Sequence, residues 1–450
     1  MKTFVKTLLH VLSALLIFLL ANAVAFTSLF GQAYFIFAVF FCYIFIHATP
    51  SVFSIKLKTA RLRSLSDGCE LLRLFLFSTI LTIIFTSMGI SGATPIAGIR
   101  NAHSLWAKNV GLAIVIESLV FWNGIIRVYV TSGQLGIKWR VIGIVCGFVP
   151  IIHLIVLGKL LAIAEAEVKL ENHKLVIDET RVLHQICKTK YPILLVHGVF
   201  FRDWKFVNYW GRIPNELAKN GAWIFYGNHQ SALPVKESGA ELAVRIKEVL
   251  HVTGAQKVNI IAHSKGGLDS RYAISKCGMA PYVASLSTIS TPHRGCEFAD
   301  YLLSKISPAK QQKIAKAYNS TLKKLGDTSP DFLSAVRDLT AERCKEINED
   351  ISDSPDVFYQ SFGSKLNHAS GGRFPLNFSY QLVNYFDGDN DGLVGEKSFP
   401  WGKNYTFLTV NGKRGISHGD MVDMNRENIK GFDVREFYVQ LVKKLKEQGF

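Results

Sequence analysis

The chain has 450 residues and a formal net charge of +16 at pH 7. This length allows more than one domain. The mean hydropathy of +0.20 is high for a soluble protein, although residues 188–450 have the composition of an ordinary soluble domain. No nucleic-acid-binding motif accompanies the positive charge, so we expect no nucleic-acid partner. Basic residues that flank membrane spans and contact membrane lipids account for the charge better.

The first third of the chain is strongly apolar. Five stretches approach the ~20 residues that a helix needs to cross a bilayer, namely residues 7–29, 32–49, 71–90, 110–130 and 141–161. None alternates as a strand does, and little polar sequence is available to cover buried helices. We therefore predict a transmembrane region of about five helical spans over residues 1–161. A charged connector, helical or irregular, follows over residues 162–187.

Lysine and arginine positions predict the orientation of these spans. Lysine and arginine residues precede the first stretch and are concentrated in alternate loops, at Lys2, Lys6, Lys56, Lys58, Arg61, Arg63, Arg127, Lys138 and Arg140. The remaining loops contain fewer basic residues, Arg100 and Lys108. The richer loops should face the cytoplasm, which leaves the chain after residue 161 on the outer side. Alternatively, the first stretch is a signal peptide with an Ala-Asn-Ala cleavage pattern at residues 21–23. The later domain lies outside in both cases.

Two polar residues, Glu117 and Asn123, lie inside the fourth apolar stretch. Ionisable groups within a membrane are costly and often functional. The pair predicts either a contact between helices or a transport or ligand site, and the sequence leaves both alternatives open.

Residues 188–450 alternate short apolar runs with helical patterns. Candidate strands cover residues 191–196, 223–226, 257–262, 283–289, 380–384 and 406–410, and residues 240–251 have apolar positions at helical spacing. Strands that alternate with helices predict an α/β domain with a doubly wound, mostly parallel sheet.

One serine stands between a predicted strand and a predicted helix, in the run KVNIIAHSKGGLDSRY over residues 257–272. A sharp strand-to-helix turn exposes the hydroxyl of such a serine and requires very small residues two positions before and after it. Ala262 and Gly266 occupy these positions around His263 and Ser264, so the motif is A-x-S-x-G. We predict Ser264 as a nucleophile.

A nucleophilic serine needs a histidine to accept its proton and an acid to orient that histidine. In this fold class the chain order is serine, acid, histidine. Asp391, in the run NDGLV, is the best candidate acid, and His418 is the histidine that follows it. The predicted catalytic triad is therefore Ser264, Asp391 and His418.

Acyl transfer also needs backbone N–H donors for the developing oxyanion. Lys265, at the start of the helix after the serine, should supply one donor. The loop after the first strand contains His197, Gly198 and Val199, and we predict Val199 N–H as the second. His197 either orders this loop or takes part in the chemistry.

The runs YPILLVHGV, TGAQKVNIIAHSKGGLDSRY, STPHRGCEFADYL and NDGLV, together with a late His-x-Asp, resemble the secreted bacterial triacylglycerol lipases of the Pseudomonas and Burkholderia type. The resemblance covers residues 191–423. It implies an α/β-hydrolase with the triad and oxyanion donors named above, and a carboxylic ester substrate with long acyl chains. The apolar first 161 residues lie outside the resemblance, and Ala262 replaces its usual glycine.

The resemblance also implies a structural calcium ion near the catalytic histidine. Asp420 matches one ligand, but Met424 stands where a glutamine ligand is expected, and a thioether is a poor ligand for calcium. The run DGDNDG over residues 387–392 begins like an EF-hand loop, yet Ser398 occupies its glutamate position. No cofactor is required for the chemistry, and a calcium site at Asp420 stays an open alternative.

A polar, helix-prone insertion over residues 304–350 matches the cap and lid region of these lipases, and its lysines predict a basic amphipathic helix. The predicted protein is a lipase or esterase anchored in the bacterial cell membrane, with its hydrolase domain on the extracytoplasmic side. The alternatives are a phospholipase or general carboxylesterase of the same mechanism, an inactive lipid- or partner-binding protein, and a transporter formed by the spans. The sequence does not determine the oligomeric state.

Overall fold

The computed structural model of the chain describes residues 2–30, 34–91, 103–147, 149–199 and 208–450. The chain divides into two compact units, Met1–Glu179 and Thr180–Phe450. The first unit contains helices in its described residues, and the second contains the sheet.

The helices that begin in the first unit are α1 (Lys2–Ala21), α2 (Ala23–Phe30), α3 (Tyr34–Ala48), α4 (Ala60–Ser91), α5 (His103–Thr131), α6 (Gly136–Cys146) and α7 (Pro150–Arg181). Within the described residues, three segments have the length and hydropathy to cross a membrane: Phe4–Ala21, Ala60–Met88 and Ser104–Thr131. The shorter apolar helix Ile36–Ala48 falls in the second predicted span, whose residues 32 and 33 lie outside the described part. Arg100 of the predicted loops also lies outside it.

The fifth predicted span, residues 141–161, does not form one continuous helix. Helix α6 ends at Cys146 and α7 begins at Pro150. Proline lacks the amide N–H that a continuing helix needs, but it is well accommodated in a first helical turn. Helix α7 then runs through most of the predicted connector, as far as Arg181.

Small residues bring α4 and α5 together. A side-chain carbon at Gly68 would lie 2.9 Å from the carbonyl oxygen of Gly124, and one at Gly124 would lie 2.9 Å from Leu72 Cγ. Helices in membranes associate through such close backbone contacts. Polar groups add contacts between helices: Ser78 donates to Glu117 at 2.9 Å, and Asn123 Nδ2 lies 3.3 Å from the His47 carbonyl oxygen. Glu117 and Asn123 thus occupy helix–helix contacts.

The second unit is built on a six-stranded parallel sheet with the strand order β2-β1-β3-β4-β5-β6. The strands are β1 (Ile193–Val196), β2 (Ile224–Tyr226), β3 (Val258–His263), β4 (Val283–Ile289), β5 (Phe358–Ser364) and β6 (Asn404–Leu408). Strands β1, β3 and β4 are buried along their whole length, which explains their continuous apolar sequence because helices cover both faces.

The helices of the second unit are α8 (Ile213–Lys219), α9 (Val235–Thr253), α10 (Lys265–Lys276), α11 (Glu297–Lys305), α12 (Pro308–Lys324), α13 (Phe332–Arg337), α14 (Ala341–Asp350), α15 (Leu376–Asp387) and α16 (Val434–Glu447). Successive side chains of a strand point to opposite faces. Leu195 therefore packs in one core with Trp210 and Tyr438, while Leu194 packs in the other with Leu242 and Ile274.

Two predictions about strands need correction. Residues 380–384, predicted as a strand, lie within helix α15, which buries Leu376 and Val383 at a spacing of seven residues. A short apolar run can form either a strand or a helix. Here two buried residues seven positions apart lie on one face of a helix, two turns from each other, and the helix buries that face. Strand β5 was not predicted because its run FYQSFGS alternates buried and half-buried positions without a continuous apolar stretch.

The predicted insertion, residues 304–350, contains the end of α11 and the helices α12 to α14, which lie between β4 and β5 in the chain. Helix α12 carries exposed Lys310, Lys313 and Lys316 and buries Ala315 and Leu322. It is therefore a basic amphipathic helix, as the lysine spacing predicts.

Candidate active site

Ser264 sits at the turn between β3 and α10 with φ 56° and ψ −132°. This conformation is strained for a residue with a side chain, and such strain concentrates at functional sites. The turn is possible because its neighbours are small. A side-chain carbon at Gly266 would lie 2.4 Å from the His197 carbonyl oxygen, and one at Gly198 would lie 2.7 Å from Ser264 Cβ. Because other parts of the chain lie this close, only glycine fits at both positions.

Ala262 lies in β3 between Val196 of β1 and Thr288 of β4. It is fully buried in the core that contains Leu194 and Val196. Its methyl group fits the sheet beneath the serine turn, which accounts for the departure from glycine.

Asp391 and His418 form a buried hydrogen-bonded pair. His418 Nδ1 lies 2.7 Å from Asp391 Oδ2, and the His418 backbone N–H donates to the Asp391 carbonyl oxygen at 2.9 Å. The other carboxylate oxygen, Oδ1, accepts from Leu393 N and Val394 N at 3.0 and 2.9 Å. The carboxylate is thus fixed by its own loop and orients the imidazole across 27 residues of chain.

Ser264, His418 and Val199 all line one cavity of about 310 Å³. Most of its wall is apolar and comes from helices α11 to α13 and the residues beside them, including Phe298, Ala299, Leu302, Leu303, Ile306, Ile314, Phe332, Leu333, Val336 and Leu339. Leu393 and Val394, which follow the acid, complete another part of the wall. A cavity of this kind accommodates an apolar group next to the serine hydroxyl.

The predicted oxyanion donors flank the serine. Lys265 is the first residue of α10, and N–H groups in the first turn of a helix have no partner within the helix. Its side chain is directed elsewhere and is buried against Asp269 Oδ1 at 2.6 Å and Ser238 Oγ at 3.1 Å. Val199 lines the cavity from the loop after β1, and residues 200–207 of that loop lie outside the described part.

His197 is buried beneath the cavity rather than in its wall. Its Nδ1 lies 2.8 Å from the Gly198 carbonyl oxygen and its Nε2 lies 3.1 Å from that of His229, on whose ring it stacks at 4.0 Å. Burial and the neighbouring His229 lower the pKa of His197 to about 3. The two carbonyl groups and the stacked His229 ring hold His197 against the loop, as expected of a residue that orders it.

Tyr209, which the sequence did not identify, connects three parts of the site. Its hydroxyl accepts a hydrogen bond from Gly198 N at 3.1 Å and lies 2.6 Å from His263 Nδ1. Burial and the nearby His418 hold the pKa of His263 well below its usual range. The neutral ring therefore accepts the Tyr209 proton at Nδ1 and donates from Nε2 to the His418 carbonyl oxygen at 3.2 Å.

This chain of hydrogen bonds joins the oxyanion loop, the nucleophile strand and the histidine loop. His263 was included in the predicted motif as the residue before the serine, without a role. Tyr209 lies in a run (NYWGR) that carries no recognisable catalytic motif, so no signal in the sequence pointed to it.

Asp420, the predicted calcium ligand, lies two residues after His418 and is bound by the guanidinium of Arg414 and by Ser417. In the EF-hand-like run, Asp387 Oδ1 accepts from Glu297 N and Asp389 pairs with Lys365. Across the described residues no group of three or more His, Cys, Asp or Glu side chains is arranged to hold a metal ion.

No protein-family model matches the chain. The chain is 38% identical to the triacylglycerol lipases of Pseudarthrobacter phenanthrenivorans and Burkholderia plantarii over 177 residues, 36% of this chain, and spans about half of their lengths, 54% and 48%. It is 30% identical to the triacylglycerol lipase of Vibrio cholerae serotype O1 over 238 residues, which cover 48% of this chain and 76% of that protein. With the nucleophile turn and the α/β-hydrolase sheet in place, this extent of similarity means that the chain belongs to the bacterial triacylglycerol lipase family.

Proposed function

We propose that this protein is a membrane-anchored serine esterase that hydrolyses carboxylic esters of lipids. One observation carries the proposal: Ser264 and His418 face the same apolar cavity, and His418 is oriented by the fully buried Asp391. Relatives that are named triacylglycerol lipases support the choice of ester chemistry.

The proposed reaction follows from the positions of these groups. His418 Nε2 takes the Ser264 proton while its Nδ1–H donates to Asp391, and the serine oxygen attacks the ester carbonyl carbon. Backbone N–H groups of Val199 and Lys265 stabilise the oxyanion. The tetrahedral intermediate expels the alcohol, which takes its proton from His418. Water, deprotonated by His418, then attacks the acyl-enzyme; the carboxylic acid is released as the Ser264 oxygen leaves and takes the proton back from His418.

The cavity supports an apolar acyl group as the part of the substrate that is buried. Its wall contains few polar side chains beyond Ser264 and His418, and one of them, Gln311, donates from Nε2 to the carbonyl oxygens of Leu303 and Ile306 at 2.7 and 2.8 Å. An apolar wall favours hydrocarbon because burying an unpaired polar group is costly. We propose lipid esters rather than short polar esters.

Labelling with a fluorophosphonate probe tests the proposal. The full chain in detergent should be labelled, Ser264→Ala should not be labelled, and Ser270→Ala should retain labelling. Ser270 is a matched control because it lies on α10 and its hydroxyl bonds to the Gly266 carbonyl oxygen. Rates on triacylglycerol, phospholipid and short-chain esters then assign the substrate, and an absence of hydrolysis on all three would refute the proposal.

We also propose that the hydrolase unit lies on the extracytoplasmic side of the cell membrane. Three segments long and apolar enough to span a membrane support membrane association, and the distribution of lysine and arginine supports the orientation. A membrane-impermeant fluorophosphonate should label Ser264 in intact cells. Labelling that requires lysis would contradict this orientation.

A further inference from the structure

The loop that carries His418 is held by an arginine. Asp420 Oδ2 accepts hydrogen bonds from Arg414 Nη1 at 2.8 Å, from Ser417 N at 2.8 Å and from Ser417 Oγ at 2.7 Å, while Oδ1 accepts from Arg414 Nη2 at 3.0 Å. Arg414 Nη2 also donates to Glu427 Oε2 at 2.7 Å. One guanidinium therefore joins two carboxylates across the histidine loop.

A second arginine secures the same loop from another side. Arg212, just before α8, donates from its backbone N, from Nε and from Nη2 to Asp423, each at 2.8 Å. Its Nη1 donates to Asn428 Oδ1 at 3.0 Å. The Asp423 side chain is 1% exposed, and the charge-assisted hydrogen bonds from Arg212 satisfy both of its buried oxygens.

The family resemblance implies a calcium ion at Asp420, and the residues present do not fit one. Calcium needs six to eight oxygen ligands, yet hydrogen bonds already engage both oxygens of Asp420. Arg414 and Arg373 already balance the charges of Asp420 and Glu427. Met424, at the expected glutamine position, offers only a thioether and is 43% exposed.

We propose that Arg414 replaces the structural metal ion in this chain and makes the His418 loop independent of calcium. A guanidinium is always charged and matches carboxylate geometry through two parallel hydrogen bonds. It supplies the positive charge that a cation would place between Asp420 and Glu427. Arg414 is thus a positioning residue that acts on the reaction through the loop of His418. This effect on catalysis rests on the proposed function, whereas the effect on stability does not.

The first test compares thermal unfolding of the full chain in detergent with calcium and with a chelator. We expect the same unfolding temperature in both. A bound structural calcium ion at saturating concentration would raise this temperature by several degrees, so a rise with calcium or a fall with the chelator would overturn the proposal. This result is independent of any enzymatic activity.

The second test uses Arg414→Gln, with Arg343→Gln as a matched control because Arg343 pairs with Asp338 and Glu346 from a half-exposed position on α14. Arg414→Gln should lower the unfolding temperature by about 5 °C or more, since it leaves the buried Asp420 without its partner. Arg414→Lys keeps the charge but loses the paired geometry, so its effect should be intermediate.

Kinetic measurements distinguish a positioning role of Arg414 from a role in stability alone. Below the unfolding temperature, Arg414→Gln should lower kcat about tenfold or more with little change in KM, because the imidazole is displaced while the cavity is intact. Arg414→Lys should restore part of kcat. Unfolding temperature and kcat equal to those of Arg343→Gln would refute the proposal. A chain that fails to react with fluorophosphonate would refute the proposed function alone, and the unfolding temperatures with calcium and of Arg414→Gln would still test the role of Arg414.

Discussion

Tyr209→Phe tests whether the hydrogen-bond chain behind the active site contributes to catalysis. The ring stays packed against Trp210 and His263, but Gly198 N–H and His263 Nδ1 lose their hydroxyl partner. Each buried polar group left unsatisfied costs about 1–3 kcal/mol, so we expect a loss of about 3 kcal/mol. For a unit of this size the unfolding temperature should fall by about 5 °C.

The same change should lower kcat. Gly198 precedes Val199, the proposed oxyanion donor, and His263 bonds to the backbone of His418. Loss of one oxyanion donor lowers kcat about 10²–10³-fold. Displacement of a donor that is still present should therefore lower kcat about 10–100-fold, with KM nearly unchanged.

Tyr359→Phe is the matched control for this prediction. Tyr359 is 6% exposed on β5, and its hydroxyl accepts one hydrogen bond, from Ser354 N at 3.2 Å. The control should lose stability but keep kcat. Steady-state hydrolysis of a chromogenic ester and tryptophan fluorescence on heating provide both measurements. A kcat for Tyr209→Phe within about threefold of the wild type would refute a positioning role for the hydroxyl.

Three further predictions concern the triad, the cavity and acid stability. Asp391→Asn should keep the fold, because the amide oxygen can still accept hydrogen bonds from the loop N–H groups. It should lower kcat about 10⁴-fold by favouring the wrong imidazole tautomer. Hydrolysis rates, together with an unfolding temperature that does not change, check this prediction. Val336→Trp fills the cavity and should reduce kcat/KM at least about tenfold for long-chain esters and much less for acetate esters. The exposed control Val244→Trp should leave kcat/KM unchanged for both kinds of ester. The buried His197, with its pKa lowered to about 3, binds no proton in the folded protein above that pH. In the unfolded chain the same side chain gains a proton below pH 6.5. The contribution of His197 to the free energy of unfolding should therefore fall by about 1 kcal/mol per pH unit as the pH decreases from 6.5 toward 3. Unfolding temperatures of the wild type and of His197→Gln at pH 7, 6 and 5 test this, and the same dependence on pH in both would contradict it.

Local sequence was enough to predict the elements that bear the proposed chemistry. Short apolar strands such as β1 and β3 are buried on both faces, so their composition alone indicates their structure. The small residues around Ser264 are required by the turn itself. The order of Ser264, Asp391 and His418 along the chain follows from the fold class, and the Asp391–His418 pair is formed as that order predicts.

Other elements depended on competition between local patterns and packing. The run at residues 380–384 has the composition of a strand, but the partners that bury Leu376 and Val383 select a helix. The apolar run at residues 141–161 reads as one span by hydropathy, and Pro150 begins a new helix within it. Hydropathy averages over a window and does not register where a backbone hydrogen bond is lost.

The sequence by itself determined the class of the fold, the presence in the first unit of helices long and apolar enough to span a membrane, and the identities of the proposed nucleophile, acid and base. Only the tertiary structure decided how Tyr209 joins Gly198 to His263, and why Arg414 stands where a metal ion was expected. These contacts join residues far apart in the chain or depend on loop conformation, and no periodicity or short motif records them. Their energies come from burial and hydrogen-bond geometry, which exist only once the chain has folded.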